Sequence, residues 1–188
     1  ADPNVRVSGH VLRARYVYAK SQGPEAYARV LASARPELRE MMEAGFLETR
    51  WYPYEVMVEL TETIDRVLGT GDLQIAYDMG RFSCDQNLTT VMRLLFKFGN
   101  IGWLLDRVAK AWGGQFDEGR MVVSRREVGE EVVVELHDHP MPNRSHCLAI
   151  KGWMMRATEL SGEDSIECTE LCRAAGDAMC RWTFRWPQ

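Results

Sequence analysis

A chain of 188 residues with 46% hydrophobic and 27% charged residues is long enough for one domain with a real core, and this balance excludes a disordered or fibrous protein. Its 23 Lys and Arg against 27 Asp and Glu leave a formal charge of -4, with the basic residues scattered in ones and twos, which argues against a nucleic-acid-binding stripe. The longest apolar runs are broken by charge, as in Val91-Met92-Arg93-Leu94-Leu95-Phe96-Lys97, and none reaches the roughly 20 residues of a membrane span.

The opening Ala1-Asp2-Pro3 reads as a remnant of processing or cloning and is set aside. Val11 to Ser21 carries Leu12, Tyr16 and Lys20 at a spacing of four, which predicts a helix. Pro24 restarts a helix, Pro36 opens another that ends near Gly45, and Pro53 starts a third whose Val56, Leu60, Ile64 and Val67-Leu68 stop before Gly69. Leu73 to Met79, Leu88 to Phe98 and Ile101 to Trp112 predict further helices separated by short turns.

The period changes at Gly113-Gly114. Arg120 to Arg125 and Glu131 to Leu136 are rich in β-branched residues and flank Val128-Gly129-Glu130, the pattern of a hairpin. A long helix is predicted from Ser145 to Leu160, and a second hairpin from Ser165 to Trp186 around Gly176-Asp177. The reading is a single α+β domain over 1–188. Its mainly helical part spans 1–112, and 113–188 forms a four-stranded, largely antiparallel sheet covered by helices on one face.

Catalytic signatures are not apparent: the sequence has no Gly-rich phosphate loop, no His-Glu-x-x-His and no Gly-x-Ser-x-Gly elbow. A non-enzymatic module is therefore expected. His137 and His139 would share a strand face if the strand continued that far, but two imidazoles do not close a metal shell. Phe96, Phe98, Trp103 and Trp112 fall in neighbouring helices, where they are either solid core or the wall of an apolar cavity; Phe96, Phe98 and Trp103 are the candidate ligand-binding residues.

Five cysteines in a chain with ample apolar content fit a reducing cytoplasm better than a disulfide framework. Cys84 reads as a core thiol. Cys147 lies early in the long helix, Cys168 and Cys172 share a strand face, and the Gly-Asp turn can return Cys180 beside Cys172. The four are either buried small hydrophobes or the ligands of a structural zinc ion.

His146-Cys147-Leu148-Ala149-Ile150-Lys151-Gly152-Trp153, with Glu167 to Trp182, resembles the C-terminal signature of 4-vinyl-reductase-type domains. These are related in fold to haem-nitric-oxide-associated domains and to TRAPP vesicle-tethering subunits. The helical part, with Trp51-Tyr52-Pro53 and Gly80 to Gly99, resembles deltaproteobacterial and myxobacterial relatives. The resemblance implies a buried pocket for an apolar or aromatic small molecule, homodimerisation through the helices of 88–112, and regulation through a partner protein. It also implies zinc held by three cysteines, matched by Cys147, Cys172 and Cys180, and by a glutamate. Thr169 stands at the glutamate position, which leaves Cys168 or Glu170 as fourth ligand, Cys168 preferred. The competing reading is a dimeric adaptor without a ligand.

Overall fold

The computed structural model describes residues 4–87, 101–126, 131–162 and 165–185, without side chains for 101–104 and 126. Strand β1 (Arg6–Ser8) leads directly into helix α1 (Gly9–Ser21), with the Ser8 hydroxyl accepting from the His10 amide at the helix start. Helices α2 (Pro24–Ser33) and α3 (Pro36–Ala44) each begin on the proline that the sequence offered. Strand β2 (Trp51–Pro53) pairs antiparallel with β1, and α4 (Tyr54–Leu68) follows at once. Strands of three residues carry no readable alternation, so this small sheet was not expected from the sequence. Helix α5 (Gln74–Asn87) runs eight residues past the stretch read as helical, and the expected helix at 88–98 lies outside the described residues. Helix α6 (Ile101–Ala111) ends in a 3-10 turn at Trp112–Gly114.

The main sheet holds β3 (Arg120–Arg126), β4 (Glu131–His137), β5 (Glu167–Leu171) and β6 (Cys180–Arg185) in the order β3-β4-β6-β5, with every pair antiparallel. Helix α7 (Arg144–Leu160) crosses between β4 and β5. The architecture is α+β with a four-stranded antiparallel sheet, as expected. The alternation puts Val132, Val134, Leu136, Cys180, Trp182 and Phe184 on one buried face. The connection from β5 to β6 is no tight hairpin: a 3-10 turn at Arg173–Ala175 precedes Gly176, whose φ of +100° is the left-handed conformation that glycine permits.

Helices α5 and α7 cross so closely that each needs a glycine. A Cβ on Gly80 would lie 2.0 Å from the Ala149 carbonyl oxygen, and one on Gly152 would lie 2.0 Å from that of Tyr77. Ion pairs latch the same two helices: Arg81 grips Glu159 at 2.6 and 2.8 Å, and Arg156 meets Asp85 at 2.9 Å. Among the described residues, no helix is long and apolar enough to cross a membrane.

Candidate functional site

Helix α7 begins where Asn143 accepts, through Oδ1, from the amides of Ser145 and His146 at 2.9 and 3.3 Å. That cap fixes the first turn, from which two consecutive side chains enter two different environments. His146 enters a group of rings with Tyr54, Trp112, Phe116 and His139. Trp112 stacks on Phe116 with centroids 4.3 Å apart, and His146 lies 4.6 Å from Phe116 and 5.7 Å from both Trp112 and His139. The Tyr54 hydroxyl meets His146 Nδ1 at 2.8 Å, while His146 Nε2 is buried and has no hydrogen-bond partner among the described residues.

Burial holds both imidazoles neutral. It pushes His139 down to about 4, and it drives His146 well below the usual histidine range, helped by the proximity of His139 and Arg15. His137 does not share this environment. The strand ends with it, Asp138 takes a left-handed φ of +57°, and His137 stays on the flank against Glu135 at 2.9 Å. The backbone reversal at Asp138 is why the two histidines do not act together.

A cavity of about 230 Å³ opens beside the ring group, between α1, α5, α6 and α7. Its apolar walls include Val11, Val108, Trp112, Phe116, Ile150 and Trp153, and its polar wall includes His10, Arg15, Ser83 and His146. Of the four aromatics named in the sequence, Trp112, which was not among the three candidate ligand-binding residues, lines this cavity. Trp103 falls on α6 with no described side chain, and Phe96 and Phe98 lie outside the described residues. Tyr54, His146 and Arg15 were missed as site residues because each comes from a different element, and no local spacing marks them.

Cys147 enters the second environment. Its Sγ lies 3.6 Å from that of Cys180, and the sulfurs of Cys147, Cys172 and Cys180 lie within 4.8 Å of one another, all buried. The Arg173 amide donates to Cys180 Sγ at 3.5 Å, and Asp177 Oδ2 accepts from the Cys172 amide at 2.7 Å. The Cys147 thiol and the Arg173 amide both donate to Cys180, which lowers it below the usual thiol range, and Cys147 is pushed up in exchange.

Cys168 does not join them. It lies on β5, whereas Cys172 falls just past the end of that strand, and four residues of extended chain put the two roughly 13 Å apart, too far for one ion. Glu170, the other candidate, is held by Arg144 and Lys151 of α7. Cys84 is fully buried in α5.

No family model matches the chain, and no curated protein does. Solved structures with its fold do exist. An H-NOX protein from Shewanella oneidensis in the Fe(II)NO state has a TM-score of 0.71 at 9% identity, covering 96% of this chain and 99% of that one. The Fe(II) unliganded H-NOX protein from K. algicida has a TM-score of 0.68 at 10% identity, covering 96% and 97%. An oxygen-binding H-NOX domain related to soluble guanylate cyclases has a TM-score of 0.67 at 10% identity, covering 96% and 95%.

The chain therefore has the H-NOX fold; the motif itself resembles 4-vinyl-reductase-type domains, to which haem-nitric-oxide-associated domains are related only in fold. The zinc expectation is corrected. The fold's neighbours are iron-liganded proteins, one of them described for its haem distortion, and among the described residues the cysteine group is one short of the four ligands that close a structural zinc centre.

Proposed function

We propose that the chain is a non-enzymatic binding module that takes a small, largely apolar or aromatic molecule into the cavity beside Trp112 and acts on a partner protein. The observation that carries this reading is the cavity of about 230 Å³ among packed helices, walled by aliphatic and aromatic side chains with a few polar groups. Close-packed domains seldom keep such a space without use. The H-NOX fold of its structural neighbours, whose names record bound NO and oxygen, supports the same reading. The adaptor alternative asks for a broad exposed apolar patch. Among the described residues, the large exposed apolar side chains are Leu47, Trp51 and Leu171, on separate elements or loops.

Haem itself does not fit the residues present. The cavity's volume of about 230 Å³ lies below the roughly 300–1,000 Å³ usual for ligand pockets, which favours a compact ligand over a haem macrocycle. The imidazole most deeply set in the wall, His146, spends its Nδ1 on the Tyr54 hydroxyl and keeps its Nε2 buried among neighbouring rings. The occupant proposed is accordingly a compact molecule of roughly ten to fifteen non-hydrogen atoms at close packing.

The resemblance to 4-vinyl-reductase-type domains belongs to the same proposal. It accounts for Cys147 standing next to His146, so that the thiol group and the cavity share one turn of α7. Homodimerisation through 88–112 is a further part of it, and most of that segment lies outside the described residues.

A thermal-shift screen of phenols, short fatty acids and tetrapyrroles tests the reading. Compact ligands should raise Tm, the stabilisation growing with the logarithm of concentration and reaching about 2.7 kcal/mol at a hundredfold excess over Kd. Tetrapyrroles should give neither a shift nor a Soret band. Stoichiometric haem binding, or no response to any compact ligand, would overturn it.

A further inference from the structure

Arg15 is the most deeply buried arginine described, and it lacks a countercharge among the described residues. It projects from the second turn of α1 into the cavity wall with 5% of its surface exposed. Its Nε donates to Thr61 Oγ1 at 2.9 Å and its Nη1 to the Val11 carbonyl at 3.2 Å. Thr61 in turn donates to the Met57 carbonyl at 2.8 Å, so both acceptors are neutral. No carboxylate lies within ion-pair distance of Arg15 among the described residues, and Nη2 has no hydrogen-bond partner among them.

Other arginines of this chain behave differently. Arg81, Arg156 and Arg181 keep about a third of their side chains in solvent, and each still pairs with a carboxylate. Burial brings Arg15 down to about 10, which leaves it cationic at neutral pH. Taking a charge out of water without a partner is costly, and the missing partner is expected where the guanidinium faces open space.

We infer that the molecule taken into this cavity carries a carboxylate that is received by Arg15, with its apolar body against Val11, Val108, Trp112, Ile150 and Trp153. The guanidinium is planar, and its free nitrogen suits one carboxylate. A single buried cation does not match a phosphate dianion, and the second cation in the lining, Arg107, is exposed at the rim. The inference rests on the cavity being a ligand site, as proposed above.

The test uses matched pairs of acid and primary amide, namely phenylacetate with phenylacetamide, indole-3-acetate with its amide, and octanoate with octanamide. Calorimetric titration of the intact chain at neutral pH should give at least one acid that binds about ten- to a hundredfold tighter than its amide. Arg15→Gln should erase that preference while leaving the amide's affinity in place, and Arg15→Lys should retain part of it.

Amides binding as well as the acids would overturn the carboxylate assignment and leave the cavity reading standing. An acid preference that survives in a folded Arg15→Gln protein would overturn the role of Arg15. Should Arg15→Gln not fold, the acid-amide contrast in the unsubstituted protein and in Arg15→Lys decides. Failure of all six compounds to bind would overturn the cavity reading and this inference together.

Discussion

Tyr54 and His146 sit 92 positions apart in sequence and meet in a single hydrogen bond that has no solvent to replace it. Tyr54→Phe keeps the ring packing and strands His146 Nδ1, so it should cost about 1–3 kcal/mol in urea unfolding. His139 gives the residue scale its pH signature. Its folded value, about 4, lies below the usual 6.5, so the unfolded chain binds a proton that the folded chain refuses. Stability is therefore full above 6.5 and falls as pH drops from there toward about 4. Urea midpoints measured at about pH 7 and about pH 5 should show the decline, and His139→Phe should lessen it, the rest coming from His146. A midpoint that stays level or rises on acidification would contradict a neutral buried imidazole. None of these roles was legible in the sequence. His146 stood inside the quoted motif, but its partners Tyr54, Trp112 and Phe116 come from α4, the 3-10 turn and the loop after it. Only the fold brings them together.

At the scale of elements, the sequence was read most successfully where period and punctuation agreed. Proline starts and 3.6-residue repeats marked α2, α3 and α4, and runs of β-branched residues marked β3 and β4. Cys168 and Cys172 were read as sharing a strand face, but β5 ends at Leu171, one residue short of Cys172. The larger error lay in distance, because a shared face along a strand still advances about 3.3 Å per residue. Cys180 comes close to Cys147 because β6 lies inside the sheet, beside β4, where α7 passes over it. The glycine crossing of α5 and α7 shapes the cavity directly, since Gly80 and Ala149 both line it. Gly80→Ala or Gly152→Ala must push a helix off the opposing carbonyl, so either should cost about 1–3 kcal/mol or more. Each should also weaken binding of any cavity ligand, which titration against the destabilised but folded variant would reveal. Unchanged stability and affinity would show that the crossing is looser than described.

For the whole molecule, the account joins a cavity, a buried cation and a ring group in one core beneath a fold also found in H-NOX proteins. Fold class was legible because it depends on the order of helices and strands. The cavity was not, because it is space left between α1, α5, α6 and α7, and no residue pattern encodes an absence of packing. The ε-methyl groups of the methionines report on it. Met121 and Met154 line the cavity, whereas Met42 and Met57 lie in the buried core outside its lining. The most direct measurement is a methyl spectrum of protein labelled at methionine, recorded during titration with phenylacetate, phenol and octanoate. The account predicts saturable shifts of Met121 and Met154 with at least one of these, while Met42 and Met57 hold still. No shift at Met121 and Met154 with any of them, or equal shifts at all four, would contradict it.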